Sequence, residues 1–245
     1  MLFRSGSTGL PKGVVCDPVQ VVFSLDAISK RLRYLPTDIV YCVLPLSFDY
    51  GLYQVFLCVA AGAHLILDEI RTKPLSVRKL GKVAATILPA VPSMLRVLVE
   101  ASRRGFEQPS LRLITNTGEA LSPQLQRHLA QLFPEATFAL MYGLTECKRA
   151  SIGLFKASDL PTASVGSPLD GTWVGAVEGT GMQLPPGAVG ELAVIGPNVV
   201  SGYWGGIPLP TATGQDGQMM LLTGDRGLVA DDGTVRVLGR IDNQL

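Results

Sequence analysis

The stretch Ser5-Gly6-Ser7-Thr8-Gly9-Leu10-Pro11-Lys12-Gly13 is the most informative part of this chain. Its glycines let the backbone turn sharply and approach a ligand closely. Consecutive N–H groups in such a loop can form a concave site for an anion, and the Ser and Thr hydroxyls add further donors. Together with the positive charge of Lys12, these residues predict a loop that grips a polyphosphate.

Two other interpretations of this loop fit less well. In a P-loop, Gly-x-x-x-x-Gly-Lys-Ser/Thr, a glycine would stand at Pro11 and a hydroxyl residue at Gly13. Proline has no N–H to offer a phosphate, and no strand is expected in the few residues that precede the loop. A flexible Gly/Ser linker is disfavoured because Pro-Lys-Gly is followed directly by Val14-Val15.

The loop resembles the signature of the adenylate-forming superfamily: acyl-CoA synthetases, adenylation domains of peptide synthetases, and luciferases. That signature reads Thr-Ser-Gly-Ser/Thr-Thr-Gly-x-Pro-Lys-Gly, and the chain matches every position except the first, where Arg4 stands. The resemblance implies that the loop cradles the β- and γ-phosphates of ATP. The residues to which it gives this role are Ser5, Gly6, Ser7, Thr8, Gly9 and Lys12.

Composition excludes several other classes of protein. With a net charge of +1 and 17% charged residues, the chain offers no electrostatic case for binding nucleic acid. Its 47% hydrophobic content suits a buried α/β sheet. Cys16, Cys42, Cys58 and Cys147 are scattered, which predicts reduced thiols in a cytoplasmic protein without a cysteine metal site. The apolar stretch from Gly51 to Leu67 is interrupted by polar residues and predicts a buried helix and strand, not a membrane span.

The first two thirds of the chain alternate between helical and strand patterns, which predicts right-handed crossovers and a largely parallel sheet with flanking helices. Helices are expected at about residues 18–32, 50–60, 75–80, 92–103 and 123–132, and strands at 39–44, 63–67, 84–88, 111–115 and 137–142. After about residue 164, short apolar segments between Gly and Pro predict strands at 191–195, 218–222 and 234–238, with a hairpin turn at Asp231-Asp232-Gly233.

This pattern predicts an α/β fold followed by a small β-rich subdomain, which the resemblance identifies as an incomplete adenylate-forming large domain. The expected division is 1–163 for the nucleotide- and acyl-binding subdomain, 164–238 for the β-rich subdomain and 239–245 for a hinge motif. By the same resemblance, an N-terminal subdomain and a C-terminal domain with the adenylation lysine lie outside the chain. We therefore expect the isolated chain to be a poor catalyst or none.

A second motif, Tyr142-Gly143-Leu144-Thr145-Glu146, follows a predicted strand. Loops at the carboxyl ends of parallel strands form ligand crevices, and a ring, a hydroxyl and a carboxylate on one turn suit a base, a phosphate and Mg²⁺. It resembles the family's Tyr-Gly-x-Thr-Glu motif, which implies that Tyr142 and Gly143 lie at the nucleotide, with Tyr142 packed on adenine. Thr145 and Glu146 would be catalytic, contacting the phosphate and binding magnesium respectively. From the residues alone, a core tyrosine and an exposed carboxylate at a helix start remain open.

Two further segments carry weaker signals. Asn116-Thr117-Gly118-Glu119-Ala120-Leu121 resembles a Gly-Gly-Glu-x-Leu segment, which implies that Gly118 and Glu119 lie beside adenine, although Thr117 replaces the first glycine. A plain strand-to-helix turn that leads to a cap at Ser122 explains this segment equally well. The region from Gly190 to Trp204 resembles a structural segment of the family, and we expect only hairpin strands and packing aromatics there.

The last motifs of the family follow in order. Thr223-Gly224-Asp225 is expected between two short strands, and a carboxylate there can accept both hydroxyls of a ribose; the resemblance gives this role to Asp225. Gly239-Arg240-Ile241-Asp242-Asn243-Gln244 resembles Gly-Arg-x-Asp-x-Gln, which implies a nucleotide contact for Arg240 and a hinge at Asp242. A frayed terminus is the alternative.

Two short segments bear on the substrate. Phe48-Asp49 resembles the Phe-Asp pair of amino-acid-activating domains, whose Asp binds the substrate's ammonium, but Gly51 replaces the family's Ser. Helix capping by Asp49 is the slightly favoured alternative. In Cys147-Lys148-Arg149, the two cations could hold an anionic intermediate, although a solvated turn is the favoured interpretation.

The resemblance implies a two-step reaction. A carboxylic acid attacks ATP to give acyl-AMP and pyrophosphate, and the acyl group then passes to the thiol of CoA or of a carrier-protein phosphopantetheine. ATP or AMP, Mg²⁺ and the acceptor thiol would be the cofactors, and a carrier protein is a candidate partner. A non-catalytic AMP- or ATP-binding module, or an inactive fragment, is the alternative function, and the acid is either an amino acid or a fatty or aryl acid.

Overall fold

The computed structural model of the 245-residue chain describes residues 2–4, 12–68, 77–106, 108–161, 163–179 and 181–243. As far as residue 142 its elements are β1 (Leu2–Arg4), β2 (Lys12–Val15), α1 (Pro18–Leu32), β3 (Ile39–Cys42), α2 (Asp49–Ala61), β4 (His64–Leu67), α3 (Val77–Lys82), β5 (Ile87–Ala90), α4 (Pro92–Arg103), β6 (Leu113–Asn116), α5 (Pro123–Leu132) and β7 (Thr137–Tyr142). From residue 151 onward they are β8 (Ser151–Lys156), β9 (Ser167–Pro168), β10 (Trp173–Glu178), β11 (Met182–Gln183), β12 (Gly190–Ile195), β13 (Gly202–Tyr203), β14 (Thr211–Thr213), β15 (Met219–Val229) and β16 (Val235–Arg240), with 3-10 turns at Ala157–Asp159 and Ile241–Asn243.

These elements form two compact units. The unit called here the α/β unit comprises Leu32–Leu140 and Gly153–Thr162, and the β-rich unit comprises Met1–Arg31, Met141–Ile152 and Ala163–Leu245. The expected α/β fold with a β-rich part is confirmed. The predicted division of the chain into subdomains at 163/164 and 238/239 stays a prediction.

The α/β unit is built on a sheet in the order β4-β3-β5-β6-β7-β8. Its first five strands are parallel to their neighbours, as the alternation of helix and strand predicts. Strands β5 and β6 are buried along their whole length, which explains their continuous apolar sequences. Alternate strand residues pack against the inner faces of α3, α4 and α5, and this core includes Leu88, Ala90, Ile114, Phe138 and Leu140 with Leu80, Leu95, Leu98, Leu125 and Leu129.

The helix ends in this unit follow the local sequence closely. Pro92 and Pro123 lie in the first turns of α4 and α5, where a missing N–H costs nothing. The predicted cap is confirmed: the Ser122 hydroxyl accepts a hydrogen bond from the N–H of Leu125 over 3.3 Å.

The apolar stretch from Gly51 to Leu67 divides into a helix and a strand, as predicted. The expectation that the strand is buried is wrong, because β4 lies at the edge of the sheet and its His64 and Leu67 are exposed. Helix α2 ends at Ala61 and is followed by Gly62, whose φ of 67° is left-handed, and the N–H of Ala63 donates to the carbonyl of Cys58 over 2.9 Å. Such a reversal is the usual role of a C-terminal glycine. Across the described ranges no helix combines the length and the hydrophobicity that crossing a bilayer requires.

A partly buried ion pair joins the amino ends of three neighbouring strands. Arg112 Nε donates to Asp38 Oδ1 over 2.6 Å, the Thr86 hydroxyl donates to the same oxygen over 2.8 Å, and the Leu35 N–H donates to Oδ2 over 2.7 Å. Burial by itself would raise the pKa of Asp38, but these donors outweigh it and hold that pKa below its usual range. The folded state therefore favours the ionised carboxylate.

We expect this pair to make stability depend on acid pH. Since the folded pKa of Asp38 is lower than the unfolded one of about 3.9, its contribution is present above about pH 4 and is lost as pH falls through the folded pKa. Asp38→Asn should cost about 2 kcal/mol at pH 7, less than a fully buried pair because Arg112 is partly exposed. Urea unfolding at pH 7 and pH 3 measures this, with the exposed Asp159→Asn as control. An equal cost of Asp38→Asn at both pH values would contradict the assignment.

The β-rich unit contains two sheets and a short strand pairing. One sheet has the order β1-β2-β13, and the other has the order β11-β10-β12-β15-β14 with β16 beside β15; β9 pairs with the first two residues of β8. The expectation that no strand precedes the glycine-rich loop is wrong, because Leu2–Arg4 pairs antiparallel with Lys12–Val15. Three residues are too few for a periodic pattern to be recognised. The element after the loop is itself a strand, so a P-loop, which leads into a helix, remains excluded.

Candidate functional site

The turn from Tyr142 to Glu146 leaves β7 and folds back on itself within the β-rich unit. The N–H of Ala150 donates to the carbonyl of Tyr142 over 2.8 Å, which closes the loop. A side chain at Gly143 would place its Cβ 2.1 Å from the carbonyl oxygen of Lys148. This position therefore requires glycine because two stretches of backbone cross there.

The segment after this turn is buried, so the interpretation of Cys147-Lys148-Arg149 as a solvated turn is wrong. Lys148 and Arg149 are 1% and 5% exposed. The Lys148 ammonium donates to the carbonyl of Thr145 over 2.8 Å and to the Cys16 sulfur over 3.1 Å, and Arg149 donates to the Lys148 carbonyl over 2.6 Å. Burial is possible because inward-facing acceptors replace water around the cations.

The side chain of Asn198 stabilises this loop through hydrogen bonds, a role that the sequence does not reveal. Its Nδ2 donates to the carbonyls of Cys147 and Arg149 over 2.9 and 3.0 Å, and its Oδ1 accepts the Thr172 hydroxyl over 3.2 Å. Asn198 is completely buried. The loop is therefore fixed by an amide whose donors and acceptor are all engaged.

The Thr223-Gly224-Asp225 segment forms a bulge inside one long strand, and the prediction that it lies between two short strands is wrong. Strand β15 runs through it for 11 residues, while the pairing with β12 shifts register at this point. Gly224 has a left-handed φ of 70°, which makes the bulge possible without steric cost. The N–H of Gly224 donates to Glu191 Oε1 over 2.8 Å.

Asp225, which is 6% exposed, lies at the centre of a polar cluster formed by this bulge. The Tyr142 hydroxyl donates to its Oδ2 over 2.7 Å, and Arg240 Nη1 donates to its Oδ1 over 3.3 Å. Arg240 also donates to the Thr223 carbonyl over 2.9 Å. Burial, followed by the negative charge of Asp225, raises the pKa of Tyr142 well above its usual range, so the phenol stays protonated and donates. The cluster therefore joins residues of three predicted motifs.

Glu146 forms a second polar centre in the same unit. It is 3% exposed, so the alternative of an exposed carboxylate at a helix start is wrong. The Tyr203 hydroxyl donates to its Oε1 over 2.5 Å, and the Lys12 ammonium lies 5.2 Å from the centre of the Tyr203 ring. Tyr203, expected only to pack, therefore contacts two residues to which the family resemblance gives functions.

The donor set around Glu146 fits a magnesium ion held mainly by a nucleotide. Within the described ranges no three His, Cys, Asp or Glu side chains form a metal cage. Magnesium in nucleotide sites is usually bound by one or two carboxylates together with phosphates and water. One buried carboxylate, that of Glu146, meets that requirement.

The remaining predicted residues are placed as follows. Ser5, Gly6, Ser7, Thr8 and Gly9 lie outside the described residues. Gly118 and Glu119 are exposed on the turn after β6 in the α/β unit, and Gly118 has a left-handed φ of 87°. Asp242 accepts a hydrogen bond from Arg240 over 3.2 Å.

Asp49 does not cap α2, which corrects the slightly favoured interpretation of that residue. The residue before the helix is Phe48, in an extended conformation with no capping side chain, and Asp49 is the first helical residue. Its carboxylate therefore lies in the first turn, where the helix dipole stabilises negative charge. The side chain is half-buried.

The chain is similar to several known proteins. A family model described as AMP-binding enzyme matches residues 1–204. A plipastatin synthase of Bacillus subtilis (strain 168) is 30% identical over 253 residues, covering 100% of this chain and 10% of that protein. The complex of VinN with L-aspartate has a TM-score of 0.82 at 37% identity, covering 97% of this chain and 59% of VinN. O-succinylbenzoate coenzyme A synthetase (MenE) from Bacillus subtilis in complex with AMP has a TM-score of 0.81 at 28% identity, covering 99% of this chain and 49% of that enzyme. The chain thus spans a tenth of the first relative and roughly half of the two solved chains.

Proposed function

Because the chain belongs to the AMP-binding enzyme family, we propose that it activates a carboxylic acid with ATP and then passes the acyl group to a thiol. The observation that carries this proposal is the polar cluster of the buried Tyr142 and Asp225 with the partly buried Arg240. A carboxylate offers about four acceptor positions, and the tyrosine and the arginine take two of them. The remaining capacity suits the two hydroxyls of a ribose.

The proposed roles follow the two polar centres of the β-rich unit. At the first, Asp225 binds the ribose, Tyr142 and Gly143 border the adenine, and Arg240 contacts the nucleotide. At the second, Thr145 contacts the phosphate and Glu146 holds Mg²⁺. Further nucleotide contacts are proposed for Ser5, Gly6, Ser7, Thr8, Gly9, Lys12, Gly118 and Glu119, and a hinge role for Asp242.

In the first step an oxygen of the substrate carboxylate bonds to the α-phosphorus of ATP while the bond to the bridging oxygen breaks and pyrophosphate leaves. Magnesium, when bound, neutralises charge on the phosphates. The chain contributes position and electrostatics: Asp225 fixes the ribose, and Thr145 and Lys12 orient the phosphates, so the reacting oxygen and phosphorus are held in line.

The second step transfers the acyl group to a thiol. Support comes from the similarity to a coenzyme A synthetase and to a plipastatin synthase, which point to CoA and to a carrier-protein phosphopantetheine respectively. The thiolate attacks the acyl carbon, and AMP leaves with its bonding electron pair. Two of the chain's own cysteines are poorly suited to this role, because burial raises the pKa of the Cys58 and Cys147 thiols to about 12 and so disfavours the thiolate.

An amino acid is the proposed substrate, on the strength of Asp49 and of the similarity to the complex of VinN with L-aspartate. We expect ATP–pyrophosphate exchange, measured on the complete product of the reading frame, to prefer amino acids over the same acids without the amino group. Asp49→Asn should lower exchange with amino acids about 100-fold, since it leaves an ammonium without its charge partner, and should leave the deaminated acids nearly unaffected.

The exposed Asp159→Asn is the matched control and should change neither substrate class. Equal exchange with both classes, or an Asp49→Asn variant that keeps its preference, would contradict the amino-acid assignment. AMP binding without exchange for any acid would instead favour a non-catalytic nucleotide-binding module.

A further inference from the structure

The segment from Gly190 to Trp204 contacts three described parts of the site in the β-rich unit, although the sequence suggested only a structural role. Glu191 accepts the N–H of Gly224 in the bulge that carries Asp225, over 2.8 Å. Asn198 bonds the carbonyls on either side of Lys148, over 2.9 and 3.0 Å. Tyr203 donates its hydroxyl to Glu146. The segment thus contacts the site through three side chains, those of Glu191, Asn198 and Tyr203.

The backbone around Tyr203 is tied to two parts of the site. Strand β13 pairs with β2, which places Tyr203 opposite Val14, and the N–H of Trp204 donates to the carbonyl of Gly13 over 2.7 Å. The N–H of Val200 donates to the main-chain carbonyl of Glu146 over 2.9 Å. The backbone of this segment therefore holds both the strand that begins at Lys12 and the residue Glu146.

The Tyr203 side chain joins the same two partners. Its hydroxyl contacts the Glu146 carboxylate and its ring lies beneath the Lys12 ammonium at 5.2 Å. Only 4% of Tyr203 is exposed, so the ring cannot swing away without leaving a cavity. An aromatic face attracts a cation, and a hydroxyl donor fixes the rotation of a carboxylate. One rigid side chain thus orients one negative and one positive group.

We propose that Tyr203 is a positioning residue for the magnesium–triphosphate part of the site. Its hydroxyl orients Glu146 toward the metal, and its ring orients Lys12 toward the phosphates. The proposal rests on the proposed function, because it assigns Glu146 to magnesium and Lys12 to phosphate. Groups that orient a metal ligand typically change metal affinity 10- to 100-fold when they are lost.

Calorimetric titration of the complete product of the reading frame with ATP, with and without MgCl₂, and with AMP in EDTA separates these contributions. Tyr203→Phe keeps the ring and removes the hydroxyl. We expect it to weaken ATP binding about tenfold with Mg²⁺ and to leave ATP and AMP binding in EDTA unchanged. Tyr203→Leu also removes the ring and should lower ATP binding in EDTA by a further factor of about three.

Three controls keep the test decisive. Trp204→Ala, at the exposed aromatic next to Tyr203, should behave like the wild type. Thermal unfolding shows whether each variant folds, and Tyr203→Phe carries the test if Tyr203→Leu does not. In a Glu146→Gln background, Tyr203→Phe should have no additional effect on magnesium dependence, because its partner is already changed.

The possible failures are distinguishable. A Tyr203→Phe variant with wild-type magnesium dependence, or one that loses AMP affinity in EDTA as strongly as ATP affinity with Mg²⁺, would overturn the positioning role and leave the proposed function intact. A complete wild-type protein that binds neither ATP nor AMP would overturn both.

Discussion

Replacing Asp225 with alanine is expected to lower AMP affinity at least about 100-fold, since two hydrogen bonds to a charged group contribute about 1.5–3 kcal/mol each. The carboxylate is the proposed partner of both ribose hydroxyls. Its removal also leaves the Tyr142 phenol and the Arg240 guanidinium without their shared acceptor. Calorimetric titration with AMP measures the loss of affinity, and a thermal unfolding transition shows whether the variant is folded.

Two further variants separate ribose binding from structural support. Asp225→Asn keeps the shape and one acceptor oxygen, and we expect it to bind AMP with intermediate affinity. Asp231→Ala, in the exposed turn between β15 and β16, is the control and should bind like the wild type. If the folded Asp225→Ala variant binds AMP as tightly as the wild type does, Asp225 does not bind the ribose.

Replacing Gly143, in the turn after β7, with alanine is expected to lower the free energy of unfolding strongly. The new Cβ would lie 2.1 Å from the Lys148 carbonyl oxygen and 2.8 Å from the Arg149 Cα. Both are backbone atoms, which cannot move aside as a flexible side chain could. We expect a loss of about 3 kcal/mol and a fall in melting temperature of roughly 6–12 °C, together with weaker AMP binding.

Gly81→Ala is the matched control in the same chain. No atom lies within 4 Å of a Cβ built there, and the residue belongs to helix α3, where alanine is favoured by about 0.5–1 kcal/mol. The two Gly→Ala changes should therefore shift the melting temperature in opposite directions. A Gly143→Ala protein as stable as the wild type would mean that the loop crossing can relax.

Local signals explain why much of the fold could be predicted. Helices α4 and α5 begin at Pro92 and Pro123 and end where the helical repeat of apolar residues ends. Both boundaries can be predicted because they depend on residues that are neighbours in the sequence. The buried strands of the α/β unit are recognisable as apolar runs for the same reason. Their ends differ from the predicted ones by a few residues, since pairing with a neighbour, not composition, decides where a strand stops.

The features that sequence reasoning missed depend on partners far along the chain. A pair such as Lys148-Arg149 usually indicates a solvated surface, and only the carbonyls and the sulfur that surround it in the fold make its burial possible. Tyr203 is indistinguishable in sequence from a packing aromatic because its partner, Glu146, is 57 residues away. The bulge at Gly224 resembles a turn in sequence because a glycine with left-handed φ serves both equally well.

The division of the β-rich unit among three stretches of sequence has a consequence for how the protein is made. Tyr142 and Asp225 are 83 residues apart, and at about 5–20 residues per second the ribosome adds the second roughly 4–17 s after the first. All residues of the α/β unit, which ends at Thr162, are synthesised before Asp225 is added. Contacts of such large sequence separation also close slowly. The nascent chain therefore passes through a stage in which one unit can pack while the ribose-binding cluster has not yet been joined.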